Sequence, residues 1–234
     1  MLKNQIERLV RVDRMREIRA LVGFTRKVSS NPRNTLWKKK QNWLPAIETN
    51  GEGVFFSFNK NFMENIESES DNELSFEILE NWKTRLAEDQ GFIASGPTRD
   101  TEIGIKFIFL HTLAHVLIRQ LSLDSGYNSA SLHERIYCSE DMAGILIYTA
   151  SVDSEGTLGG LSRIGRTENF KELMINALNE SEFCSSDPLC EFGDMSISEP
   201  LNGASCYCCS ILPETCCDHY NLFLDRRLLN IMKI

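Results

Sequence analysis

Apolar positions near the start recur at Ile6, Leu9, Val10, Ile18, Leu21 and Val22. That roughly helical spacing predicts a helix over 3–22, with VRV at 10–12 as the alternative, a short strand. SSNPRNTLWKKKQNW (29–43) joins turn formers to a basic run and predicts a loop. GEGVFFSF (51–58) predicts a strand entered through a glycine turn, and SFEILENWKTRLAE (75–88) an amphipathic helix. GFIASGPTRDTE breaks the pattern, placing an internal boundary near residue 100 and dividing the chain into 1–100 and 101–234. Beyond it the pattern predicts a long apolar helix over about 102–122. SLHERIYC and AGILIYTAS follow as strands, the second apolar enough for burial on both faces. SEGTLGGLSRIG is a turn leading into the helix FKELMINALNES, and YNLFLDRRLLNIMK a short C-terminal helix. The alternation gives an α/β or α+β class, a mixed sheet with flanking helices and a cysteine-rich C-terminal region.

Charge sharpens this outline. The net charge of −8 argues against a simple nucleic-acid binder, but residues 1–40 hold twelve Lys/Arg against Glu7, Asp13 and Glu17. That is +9, so the remainder carries −17. A basic arm on an acidic body suits docking onto phosphates or an acidic partner, and equally a solvated basic helix paired with the chain's own acids. Arg8, Arg11, Lys38, Lys39 and Lys40 are the candidate contacts. No apolar run reaches the roughly 18 residues of a membrane span, and the start lacks an apolar signal core. A reducing, cytoplasmic setting is therefore expected, where clustered cysteines signal metal rather than disulfides.

Seven of the eight cysteines fall between Cys184 and Cys217, too dense to be ordinary small buried hydrophobes. Cys206 and Cys209 form a C-x2-C pair, with Gly203 giving freedom for a tight knuckle. Cys190 before it and Cys217 after it complete a four-cysteine set for structural zinc, with Cys184 the alternative to Cys190 across the Ser185–Pro188 turn. Cys208 and Cys216 are read as bystanders. His111 and His115, four apart in HTLAH, share a helix face, but Thr112 stands where a zinc protease places its glutamate base. They are read as core groups. The competing reading is a nuclease or other hydrolase built on His111, His115 and the glycine-rich turn. That turn lacks a P-loop pattern, although its amides suit an anion.

The motifs MREIRALVGFTR, LPAIETNGEGVFFSF, HTLAHVLIRQL, SLHERIYC, GILIYTASVDSEGTLGGL, CSSDPLC, LNGASCYCC and PETCCDHYNLFLDRRLL resemble, in that order, the C-terminal half of the DrmB family of the DISARM anti-phage defence system. The paired cysteines and the closing N-x-x-LDR are more distantly similar to the zinc-binding terminal domain of MrfA-type DNA-repair helicases. The resemblance implies structural zinc on Cys190, Cys206, Cys209 and Cys217. It also implies an accessory, non-catalytic subunit that partners a DrmA-like superfamily 2 helicase and aids DNA engagement. Tyr207 replaces the family's usual histidine after the first cysteine of the pair, removing one alternative ligand. The chain corresponds to the second half of the family's proteins, either as one piece of a split protein whose N-terminal half is a partner or as a smaller relative.

Overall fold

The computed structural model describes residues 4–24, 34–39, 41–68, 77–80, 82, 84, 103–149, 160–192 and 202–232. A four-stranded antiparallel sheet forms its base. Strand β1 (Ile6–Ala20) pairs with β4 (Ala46–Phe58), β4 with β6 (Met142–Thr149), and β6 with β5 (Leu132–Ser139), in the order β1-β4-β6-β5. A small ribbon of β2 (Gly23–Phe24) and β3 (Asn34–Thr35) lies apart from it. The helices are α1 (Lys60–Ser68), α2 (Ile105–Ser125), α3 (Gly160–Ile164) and α4 (Thr167–Ser181), followed by 3-10 turns at Glu214–Cys216 and Arg226–Met232. The architecture is thus α+β. The expected boundary near residue 100 falls outside the described residues, and strands from either side of it share one sheet.

The first element is a strand, not the helix its spacing predicts. Register shifts between Ile6 and Arg8 and between Val12 and Met15 mark bulges, each inserting an unpaired residue. Ile6 and Leu9, opposite Phe58 and Phe56, face the core, whereas Val12, Met15 and Glu17, opposite Gly53, Gly51 and Thr49, lie on the other face. Half-buried positions therefore fall at 6, 9, 12, 15 and 17, without a sustained two-residue alternation, while Val10, Ile18, Leu21 and Val22, which complete the helical spacing in sequence, are exposed. The C-terminal helix is likewise shorter than expected, a 3-10 turn over Arg226–Met232. For 75–88, only residues 77–80, 82 and 84 are described; they are helical, with Ile78 and Trp82 buried.

Helix α2 is the axis of the molecule. From Ile105 to Leu121 it is buried on every face except at Arg119, as an all-round apolar sequence requires. It packs against β5, β6, α1, α4 and the last 3-10 turn. Gly126 ends it in the left-handed conformation (φ 68°), where a side chain would be strained. The core face of the sheet turns Val54, Phe56, Ile145, Ile147 and Leu132 toward this helix. On the same face of β5, paired with Ile147, stands Glu134. A carboxylate buried to 1% beneath an apolar helix is the first sign of chemistry in the core.

Candidate metal centre

Cys184, Cys190, Cys206 and Cys209 bring their sulfurs within 4.8 Å of one another, all four side chains buried. Three of the edges are 3.5 Å (Cys184–Cys206), 3.7 Å (Cys190–Cys209) and 3.9 Å (Cys206–Cys209). A disulfide would need about 2.05 Å, while a tetrahedron with Zn–S of about 2.3 Å has an edge of about 3.8 Å. The donor set therefore fits zinc and excludes disulfide pairing. Backbone N–H groups also point at the sulfurs: Ser186 donates to Cys184 (3.4 Å), Cys208 to Cys206 (3.4 Å) and Cys206 to Cys209 (3.2 Å). Such donors stabilise thiolate, the form that binds metal. The Cys190 thiol, beside Cys209, is pushed up, while Cys209 is drawn down to about 5, chiefly by the hydrogen bond from Cys190.

Two loops deliver these ligands. The first leaves α4, where Asp187 closes a turn by accepting from the Cys184 N–H (2.8 Å). The second is the C-x2-C knuckle, in which Ser210 N–H and Ile211 N–H both return to the Cys206 carbonyl (3.0 and 3.1 Å). Gly203 permits it: a Cβ there would lie 2.0 Å from Asp225 Oδ2. Arg226, its side chain 4% exposed, pairs with Asp187 and donates to the carbonyls of Ser181 (3.3 Å) and Glu182 (2.8 Å). Four thiolates on a divalent ion leave excess negative charge, and this guanidinium beside Cys190 offsets it.

Cys217 does not join this set, so the expected quartet is changed in one member: Cys184 stands where Cys217 was placed. The reason is tertiary. The turn before Cys217 is tied to β5 and to the turn preceding it, with the Thr215 carbonyl at His133 Nδ1 (2.8 Å) and Cys216 Sγ donating to Ser129 O (2.9 Å). Cys217 is thereby delivered to α2 and β5, where it meets His111, His115 and Glu134 in a second group within 4.8 Å. His111 Nε2 lies 2.9 Å from Glu134 Oε1 and 3.2 Å from Cys217 Sγ, and His115 Nε2 lies 3.3 Å from the same carboxylate oxygen. The histidines are core residues, as their apolar helix suggests, but they also converge on a carboxylate that β5 contributes. Burial lowers the His111 pKa, while the two imidazoles hold the Glu134 carboxyl well below its usual range despite its burial.

Cys208 is exposed and Cys216 is buried, both outside the two groups. Of the glycine turn, residues 154–159 lie outside the description. The Leu161 and Ser162 amides at the start of α3 donate to Glu52 (2.9 and 3.3 Å), so an internal carboxylate occupies that anion position. Arg8 and Arg11 are exposed on β1, with Arg11 paired to Asp13 at 2.7 Å. Lys38 and Lys39 are exposed and Lys40 lies outside the described residues. Sequence reasoning missed Glu134, Asp187 and Arg226. Arg226 sits in the N-x-x-LDR motif that carried the distant resemblance, whereas nothing local marks Glu134.

Comparison with known proteins agrees with the centre. The family profile described as the MrfA Zn-binding domain matches residues 113–210, a span that contains all four clustered cysteines but not Cys217. The chain is 42% identical over 235 residues to "DISARM protein DrmB" of Bacillus paralicheniformis, covering 95% of this chain and 40% of that protein. The chain is thus similar to that DISARM protein over nearly its whole length and to the zinc-binding domain over 113–210, and it spans about two fifths the length of the curated relative it matches. Among the described residues, no helix is long and apolar enough to cross a membrane.

Proposed function

We propose that this chain is a non-catalytic, zinc-stabilised accessory subunit of a prokaryotic anti-phage defence complex, working beside a superfamily 2 helicase and aiding DNA engagement. The observation that carries the reading is the closed four-cysteine centre in a chain similar to a DISARM protein over 95% of its length. Four protein ligands leave no open position for substrate, which is the signature of structural rather than catalytic zinc. Zinc here supplies a cross-link: Cys184, Cys190, Cys206 and Cys209 tie the end of α4 to the C-terminal segment. Arg226 and Asp187 orient that junction.

The hydrolase reading finds less support. His111 and His115 are 0% exposed and Glu134 is 1% exposed, so none of the three presents a surface to a substrate in this conformation. Contact with DNA is assigned to the basic arm, where Arg8, Arg11, Lys38 and Lys39 are exposed and Lys40 follows Lys39 in sequence. The helicase partner and the remainder of a DrmB-like protein complete the assembly in this reading. Fluorescence anisotropy on labelled duplex, with the chain alone and with its co-expressed helicase, tests it. Binding strengthened by the complex, without cleavage when divalent metal is added, is the expected result. Metal-dependent cleavage by the purified chain, abolished by His111→Ala, would overturn it.

A further inference from the structure

We propose that His111, His115, Glu134 and Cys217 form a second, closed zinc centre, distinct from the four-cysteine site. The case begins with hydrogen-bond accounting. His115 Nδ1 faces the Ser210 carbonyl at 2.8 Å, and a carbonyl only accepts, so Nδ1 carries the proton. In the neutral ring Nε2 is then a lone pair, and it points at Glu134 Oε1 at 3.3 Å, another acceptor. His115 Nε2 and both Glu134 carboxylate oxygens have no partner in hydrogen-bonding geometry, although all are buried. Buried polar atoms left unpaired in this way are rare. A cation between them gives His115 Nε2 and Glu134 Oε1 a partner and balances the charge of the buried carboxylate.

The remaining ligands fit the same ion. His111 Nε2 stands 2.9 Å from Glu134 Oε1 and 3.2 Å from Cys217 Sγ. With Zn–N and Zn–O of about 2.0–2.1 Å, the tetrahedral edge between such atoms is about 3.3 Å. Two backbone donors, His219 N–H and Asn221 N–H, each at 3.3 Å, point at the Cys217 sulfur and favour its thiolate, while burial and the Glu134 charge push the thiol up, so a cation is what this sulfur lacks. The turn that aims them holds Tyr220, Asn221 and Phe223 at φ 57°, 57° and 66°, a left-handed conformation that costs non-glycine residues free energy. The Asn221 side chain braces it, accepting from Leu212 N–H and donating to Leu212 O, both at 2.9 Å. Two imidazoles, one carboxylate and one thiolate neutralise a divalent ion and select a borderline metal over magnesium or calcium. With four protein ligands buried, the centre is structural: it pins the C-terminal segment to α2 and β5.

Zinc-edge X-ray absorption on the purified wild-type chain, with metal quantified by mass spectrometry, tests this without any substitution. The expected result is two zinc ions per chain and an average shell of about 2.5 sulfur and 1.5 nitrogen or oxygen neighbours per zinc, the mean of four-sulfur and one-sulfur sites. One zinc per chain in an all-sulfur shell would overturn the second centre while leaving the first intact. Zinc-free folded protein would sink both. Glu134→Gln, close to isosteric, should drop the count from two to one and turn the average shell all-sulfur. Retention of two ions with unchanged nitrogen and oxygen ligation in that variant would refute the assignment.

Discussion

The choice between Cys184 and Cys217 as fourth ligand of the sulfur-only site makes a quantitative prediction for Cys184→Ala. The substitution removes one corner of the tetrahedron, whose edge to Cys206 is 3.5 Å, and leaves the Ser186 amide without its sulfur acceptor. Structural zinc in small cysteine sites contributes about 10–16 kcal/mol of apparent binding energy near neutral pH. Shared equally among four thiolates, one ligand is worth about 2.5–4 kcal/mol, or roughly 10²–10³-fold in zinc affinity. The loop holding Cys190 and the knuckle holding Cys206 have no regular secondary structure, so their order rests on this cross-link. Cobalt(II) replaces zinc in such sites and reports thiolates through sulfur-to-metal charge-transfer absorption. Cobalt titration against a competing chelator should therefore show the sulfur-rich species weakened by that factor in Cys184→Ala. In Cys217→Ala the sulfur-rich spectrum should persist. The reverse pattern, with Cys217→Ala abolishing it and Cys184→Ala not, would refute the grouping.

Cys208→Ala, at an exposed position outside both groups, should leave the melting temperature and zinc content unchanged in scanning calorimetry with metal analysis. His111→Gln should cost at least the roughly 1–3 kcal/mol of an unsatisfied buried polar group, read as a shift in urea midpoint; an unaltered midpoint would contradict a core role. Changing Lys38, Lys39 and Lys40 to Gln should flatten the salt dependence of DNA binding by the complex, by about 0.9 in log–log slope for each lost duplex contact. If the slope is unchanged but the helicase no longer co-elutes, the basic arm docks protein instead. Tyr148 is pushed up to about 12 by burial first and by its hydrogen bond to Glu17 at 2.8 Å. Its folded pKa thus exceeds the ordinary value of 10. Its contribution to stability is whole below about pH 10 and lost as pH rises toward 12, so Tyr148→Phe should lessen alkaline destabilisation in that window.

What the sequence made legible divides along physical lines. Helix α2 and strand β6 were readable because both are buried, and an apolar run states burial directly. Strand β1 was misread because two bulges and a change of covered face broke the two-residue alternation, and because exposed apolar residues, Val10 and Ile18 among them, completed a helix-like spacing with Ile6 and Leu9. The zinc chemistry was readable from the density of thiols and the C-x2-C pair. Its partition was not, because Cys217 is only eight residues from Cys209 in the chain yet is carried to β5 by contacts of Thr215 and Cys216. HTLAH showed two imidazoles on one face and lacked a glutamate nearby in sequence. Glu134 supplies a carboxylate through strand register, which no local pattern encodes.

Ser210 joins the two groups of ligands. Ser210 follows Cys209 in the knuckle; its hydroxyl lies 3.3 Å from Cys209 Sγ and 2.8 Å from Ser205 Oγ, while its carbonyl fixes His115. The knuckle that orders the sulfur site therefore also sets the tautomer and orientation of an imidazole in the core. From the other side, Asp225 accepts from Arg227 and its own N–H reaches Thr112 Oγ1 on α2 at 3.0 Å, between the two histidines in sequence. Arg226, next in the chain, reaches back to Asp187 in the cysteine loop. The N-x-x-LDR segment thus touches the surroundings of both groups, with Asn221 at the Cys217 turn, Asp225 at α2 and Arg226 at the sulfur site. Such coupling favours cooperative order: disturbing the knuckle releases His115, and disturbing the Cys217 turn loosens the segment that delivers Arg226. That is the behaviour of a segment held in one shape by its cross-links, and it accounts for so many thiols being concentrated where the fold has little regular structure of its own.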